Sequence, residues 1–192
     1  MNYDFFAFLS RMKYIRRWCL MHSITDENIM EHTQQVAVIA HALAVIKNTY
    51  FGGAVNIEKT VLYALYHESG EVITGDLPTP IKYFNEDIRS AYKDLEKNAC
   101  EKLLKMLPDE LIPVYSELVL PDTDTYEWKI VKYADRISAY IKCLEETKAG
   151  NSEFKKAKVS IEKDILSFDS PEVKYFMDKF IPAYKKTLDE LE

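Results

Sequence analysis

The sequence predicts an all-α protein, a single-domain bundle of seven or eight helices. Apolar residues recur with a helical period almost throughout its 192 residues, and the breaks fall where Gly, Pro or Asp/Asn cluster. Only 5 glycines occur, too few for a chain of strands and tight turns. Hydrophobic residues make up 47% and charged residues 29%, enough apolar material for one sizeable core over residues 1–192.

From the amino end, a first helix is expected near Tyr3 to Met12 with Phe5, Phe6 and Leu9 turned inward. A second runs from about Asn28 to Tyr50, before the Gly52-Gly53 break. The third opens at Asn56, a good N-cap, and carries Val61, Leu62 and Leu65 to the neighbourhood of Glu71. Residues 74–84, TGDLPTPIKYF, hold two prolines and a glycine and read as a loop. Helices resume from Glu86 to Leu107, ended by Pro108, and from Asp109 to Leu118, with Pro121 following. A long helix from Asp124 to Lys148 stops at Gly150. Asn151 and Ser170 read as caps of the last two helices, the second with Pro171 at its first position, and Pro182 reads as a kink in the final one. No repeat, low-complexity tract or interdomain linker interrupts the pattern.

The net charge of −6 gives no general attraction for a nucleic acid polymer or an anionic membrane, although a local basic pocket can still hold one phosphate. Asp4 and several basic residues interrupt the apolar positions at the amino terminus, so no signal-peptide core is read there. No apolar run approaches membrane-spanning length, and a cytoplasmic protein is expected. Cys19, Cys100 and Cys143 are odd in number and widely spaced, which fits reduced core thiols better than disulfides or a zinc knuckle.

Chemistry concentrates around two of the four histidines. On the second helix His32 shares a face with Val36, Ile39, Leu43 and Ile46, so it points inward. His41 comes nine residues later, about 180° around the helix, and should be structural; His22 has no defined place. His67 ends the third helix beside Glu68, with Glu71 a turn further on. Far along the chain, Asp135 sits among Val131, Ser138 and Ala139. A buried carboxylate needs a partner, and a divalent cation would satisfy one here. Two imidazoles with two carboxylates suit Zn²⁺, Mn²⁺, Co²⁺, Ni²⁺ or Fe²⁺ better than Mg²⁺ or Ca²⁺, which prefer oxygen ligands. Spacing alone leaves open that each residue is separately a core histidine or a solvated acid. Competing motifs fail: HESGE at 67–71 lacks the second His of H-E-x-x-H, and there is no phosphate loop, dinucleotide fingerprint or CxxC pair.

Longer stretches resemble a known family, the bacterial 5′-deoxynucleotidases of the HD-domain superfamily (YfbR-type). They are FFAFLSRMKYIRRW, EHTQQVAVIAHALA, YHESGEVITGDLPTPIKYF, VKYADRISAYIKCLEE and YFMDKFIPAYKKTLDE, which together span nearly the whole chain. The resemblance implies an HD-type helical domain, a homodimer, and a metal-dependent phosphomonoesterase acting on deoxyribonucleoside 5′-monophosphates. It maps one divalent metal onto His32, His67, Glu68 and Asp135. Position 68 departs from the family pattern, which has Asp there. The extra methylene shifts the carboxylate by about one bond length, against a tolerance of a few tenths of an ångström in metal-ligand distance. The resemblance further implies that Glu71 and Asp76 handle protons. Arg17 would bind phosphate, Trp18 would pack on the sugar and disfavour a ribose hydroxyl, Asp76 and Lys82 would line the substrate loop, and Tyr83 is a weaker candidate. The alternative reading is a catalytically weakened homologue that binds nucleotides in a regulatory role.

Overall fold

The computed structural model describes residues 2–191, and among these no strand forms; one isolated antiparallel bridge joins Arg16 and Asn28. The helices are α1 (Phe5–Leu9), α2 (Ile29–Tyr50), α3 (Ile57–Tyr66), α4 (Glu71–Thr74), α5 (Thr79–Lys82), α6 (Glu86–Leu104), α7 (Ile112–Val119), α8 (Tyr126–Lys148), α9 (Lys155–Leu166) and α10 (Pro171–Lys179). Eight of them have five residues or more, in line with the expected number, while α4 and α5 are single turns.

The helix starts follow side-chain chemistry. Asn28 and Glu31 form a reciprocal capping box at α2, and Asn56, Asn85, Thr125 and Ser170 each accept a backbone N–H two or three residues into their helices. The long rods α2 and α8 pack on one another, α3 lies against both, and α9 covers α8. Between them, Val36, Ile39, Leu43, Ile130, Ile137 and Ile141 make the main core. A second apolar cluster, Phe5, Cys100, Leu103, Leu104, Leu107 and Val119, joins α1, α6 and α7. A deep cavity opens where these two clusters meet, lined by Cys100 and Val119 on one side and by Ala139 and Ile161 on the other.

Several sequence expectations need correction. The first helix is short: α1 tightens into a 3₁₀ turn at Ser10–Tyr14, and Phe6 is 53% exposed, with only its ring edge against Phe5 and Tyr115. The third helix ends at Tyr66, not near Glu71, because residues 67–70 form turns before α4. Its buried side chains are Thr60, Tyr63 and Ala64, while Leu62 and Leu65 are exposed. Residues 74–84 are not wholly loop. Pro80 fits the first turn of α5, where a missing N–H costs nothing. At the carboxyl end α10 stops at Lys179, and Pro182 lies in a separate 3₁₀ turn, Ile181–Lys185, so it kinks no helix. Cys100 and Cys143 are buried free thiols, but Cys19 is exposed at the cavity wall.

Candidate active site

Three helices and the turn after one of them bring the predicted metal residues together. His32 sits in the first turn of α2, His67 caps the carboxyl end of α3, Glu68 follows in the turn, and Asp135 projects from the middle of α8. One ligand atom from each lies within 4.8 Å of all the others. His32 Nε2 is 3.1 Å from an Asp135 carboxylate oxygen, His67 Nε2 is 3.2 Å from a Glu68 oxygen, and the two rings are 5.6 Å apart.

The outer hydrogen bonds fix the imidazole tautomers. Ser138 donates its proton to Gln35 Oε1 at 2.6 Å, so its oxygen accepts from His32 Nδ1–H at 3.1 Å. His67 Nδ1 faces the Ala64 carbonyl at 2.7 Å, and a carbonyl can only accept. Both Nδ1 atoms therefore carry the hydrogen, and both Nε2 lone pairs point into the cluster. Each Nε2 is buried without a hydrogen-bond donor. His32 is 1% exposed, and burial, followed by the charge of Arg17, lowers its pKa, which favours the neutral ring. Lone pairs set against carboxylates at about 3 Å repel unless a cation lies between them. The donor set thus fits a divalent ion, which this arrangement supports as the protein's cofactor. Glu68 contributes its oxygen to the cluster despite the longer side chain.

Around this centre lies a cavity of about 880 Å³, far larger than the four side chains need. Glu71 opens α4 and faces it; burial and then the neighbouring Glu68 charge push its carboxyl up to about 11. Asp76 follows Gly75, which takes φ +74°, a value a side chain would resist, and ends α4 sharply. Burial raises the Asp76 pKa against the opposing pull of Arg17. Burial would lower the Arg17 pKa, yet Asp135, Glu27, Glu68 and Asp76 together raise it, so this guanidinium is a fixed positive charge among acids.

Arg17 and Trp18 stand on a loop whose base is clasped to α2: Arg17 N–H donates to the Glu27 carbonyl and Ile29 N–H to the Ile15 carbonyl. Glu27 Oε2 then accepts from both Arg17 Nε at 3.1 Å and Trp18 Nε1 at 2.9 Å. Trp18 itself has φ +59°, and its ring leans on Phe154 with centroids 5.3 Å apart. Lys82 lines the cavity, with its ammonium held by Glu96 at 2.7 Å and lying over the Tyr92 ring. Tyr83 is exposed at the rim. His41 is on the outer surface of α2, away from the metal residues as expected but contributing no core packing, and His22 is exposed.

The structure adds roles that the sequence alone does not assign. Glu27 orients the Arg17 and Trp18 side chains, Gln35 and Ser138 set the His32 tautomer, and Lys132 and Arg136 bring positive charge to the cavity wall beside Asp135. Lys132 and Ser138 share the Asp135 face by helical spacing, a signal available in the sequence. No such spacing links Glu27 to Trp18, since a loop carries the connection.

Among the described residues, no helix is long and apolar enough to cross a membrane. Comparison with known proteins gives one answer. A 5′-deoxynucleotidase of Klebsiella pneumoniae is 52% identical over 190 residues, covering 97% of this chain and 94% of that protein. The 5′-deoxynucleotidase YfbR of Salmonella typhi is 51% identical with the same coverage. Among solved structures, an HD-domain phosphohydrolase of Listeria innocua superposes with a TM-score of 0.83 at 24% identity, covering 94% of this chain and 88% of that one. A cyanophage S-2L HD phosphohydrolase, solved with dA and one catalytic Zn²⁺, superposes with a TM-score of 0.62 at 18% identity, covering 94% and 96%. The family model for YfbR-like 5′-deoxynucleotidases matches residues 4–184, and the chain belongs to that family.

Proposed function

We propose that the chain, as one domain, hydrolyses deoxyribonucleoside 5′-monophosphates to deoxynucleoside and phosphate, with His32, His67, Glu68 and Asp135 holding one divalent ion. The observation that carries this reading is the pair of buried, unpartnered Nε2 atoms set against two carboxylates beneath a cavity of nucleotide size. When bound, the ion supplies neutralisation of phosphate charge and a lowered pKa for water. The mixed nitrogen and oxygen donors favour Co²⁺, Mn²⁺, Zn²⁺, Ni²⁺ or Fe²⁺ over Mg²⁺.

The remaining roles belong to the cavity wall. Arg17, kept charged by four carboxylates, binds phosphate oxygens through its planar fork. Glu71 and Asp76 handle protons: as water forms its bond to phosphorus and the phosphorus to 5′-oxygen bond breaks, one carboxylate takes the water's proton and one carboxyl supplies a proton to the leaving oxygen. Trp18 packs on the sugar, where a 2′-hydroxyl would crowd its ring. Asp76 and Lys82 border the nucleotide, the latter through its pairing with Glu96. A cytoplasmic location, expected from the sequence, and a homodimer, implied by the family resemblance, complete the proposal, and analytical ultracentrifugation tests the dimer.

The decisive experiment is phosphate release from deoxyadenosine and adenosine monophosphates by metal-stripped protein, with Co²⁺, Mn²⁺, Zn²⁺ or Mg²⁺ added back separately. Metal-restored hydrolysis favouring the deoxy substrate supports the proposal; folded protein silent with every metal refutes it.

A further inference from the structure

Beyond the metal, α8 carries a second set of buried charges on the same face. Lys142 and Glu146 lie seven and eleven residues after Asp135, which places all three within about 40° around the helix, with Glu146 about 16 Å along it. Both are almost completely buried, Lys142 at 3% and Glu146 at 2% exposure, and their charged ends are 2.6 Å apart. A buried pair of this kind is no default source of stability, since apolar side chains of similar size often serve a core as well.

Its hydrogen bonds lead away from the core, toward the substrate loop. Glu146 accepts from the Ile24 N–H at 2.9 Å, the Thr25 N–H at 3.1 Å and Asn151 Nδ2 at 2.8 Å, while Lys142 donates to the Thr25 carbonyl. Asn151 also donates to the His22 carbonyl at 2.8 Å. Ile24 and Thr25 are therefore fastened directly to α8, and His22 through Asn151, just before Glu27, whose carboxylate holds Arg17 and Trp18. A second path runs behind the indole. The Lys142 ammonium sits 5.9 Å from the centre of the Phe154 ring, and Phe154 is the fully buried ring on which Trp18 leans. Trp18 needs such support, because a left-handed backbone at a bulky residue is strained and persists only where its surroundings impose it.

We propose that Lys142 and Glu146 are positioning residues that hold the Trp18 loop in register with the metal ligands, using α8 as a common rod, and thereby set discrimination against ribonucleotides. This rests on the reading of Trp18 as the sugar contact. Neither residue touches substrate; both act through the loop backbone, Glu27 and Phe154.

The test uses the full-length, metal-loaded protein and two variants. Glu146→Gln keeps the shape but cannot accept both loop amides as the carboxylate does. The double variant Lys142→Met/Glu146→Leu removes the fastening while leaving no buried charge, so it provides a folded protein should the first fail to fold. Deoxyadenosine and adenosine monophosphate are compared by kcat and KM, with Mn²⁺ affinity measured by calorimetry and Trp18→Ala run alongside. The expected result is at least a tenfold fall in the deoxy-to-ribo ratio of kcat/KM, arising mainly from a raised KM for the deoxy substrate, with Mn²⁺ affinity within about twofold of the parent. A ratio unchanged in a folded pair variant, although Trp18→Ala abolishes the preference, overturns the proposal. So does Mn²⁺ affinity falling in step with the ratio, which would make the pair a general support of the bundle. A parent enzyme with no deoxy preference to lose refutes the reading of Trp18 and this inference together.

Discussion

Acid should weaken the fastening of the substrate loop in a predictable way. Burial by itself would raise the Glu146 pKa, but the Ile24 N–H, Lys142, Asn151 and the Thr25 N–H, each donating to the carboxylate, bring it down to about 2 from an ordinary value of 4.5. Because the folded value is depressed, the stabilisation is fully present above about pH 4.5 and is lost as pH falls toward 2. A difference of about 2.5 units corresponds to about 3 kcal/mol at neutral pH, of which about 2 kcal/mol should be gone at pH 3. The group is 2% exposed, so solvent screening does little to reduce this. Urea unfolding of the parent and of Glu146→Gln at pH 7 and pH 3 isolates the effect, since other acids titrate in both proteins. The stability gap between the two should narrow by about 2 kcal/mol at the lower pH. A gap that stays constant would show that Glu146 gains nothing from its charge, and that its bonds to the loop are no better than those of a neutral amide.

Further outcomes follow from the geometry of the centre. Glu27→Gln removes the charge from the acceptor shared by Arg17 and Trp18; steady-state kinetics should show KM for the deoxynucleotide rising roughly 10- to 100-fold, the equivalent of one charge-assisted hydrogen bond, with a smaller change in kcat. Chelation should lower thermal stability, and saturating Mn²⁺ at about 100 times its Kd should restore about 3 kcal/mol, or roughly 5–10 °C in a melting scan, an increment that His67→Ala should lose. Glu68→Asp should raise kcat/KM by no more than a few-fold, because the Glu68 oxygen already reaches the other ligand atoms, whereas a hundredfold gain would mark the natural residue as an impaired ligand. Glu71→Ala should lower kcat by about 10²–10⁴ while circular dichroism stays unchanged.

The residues proposed to hold the metal were legible because regular helices carry His32 and Asp135, and the end of α3 places His67 and Glu68. The inward stripe of α2 fixes where His32 points, and a cap at Asn56 fixes where α3 begins, so the direction of each depends on rules that act over a few residues. Periodicity also delivered Asp135 to an interior face. What it could not deliver is the company those residues keep. Phe5 and Phe6 cannot both face inward on so short a helix, since neighbours point about 100° apart, and Phe5 takes the inner face while Phe6 stays outside. The Pro78–Pro80 segment was read as loop because proline ends helices, yet proline is equally suited to a first turn, and α5 uses it that way. The partner of Lys82 is Glu96, fourteen residues away on α6, which no local pattern in the sequence marks.

The same distinction explains why the substrate loop was the hardest part to read. Arg17 and Trp18 owe their positions to Glu27, to Phe154 and to a pair of charges more than 120 residues later, none of which shares a helix turn with them. A loop has no periodicity of its own, so its conformation must be written into the elements that bind its backbone. Here α8 supplies Asp135 and the Ser138 hydroxyl that sets the His32 tautomer, and then Lys142 and Glu146 at the loop. Because one helix makes all these contacts, a shift of α8 cannot move the metal ligand without also moving the Trp18 loop. Under the proposed roles, alignment between Asp135 and the Trp18 loop is thus a property of a single rod, and changes to its buried face should alter substrate choice before they alter the fold.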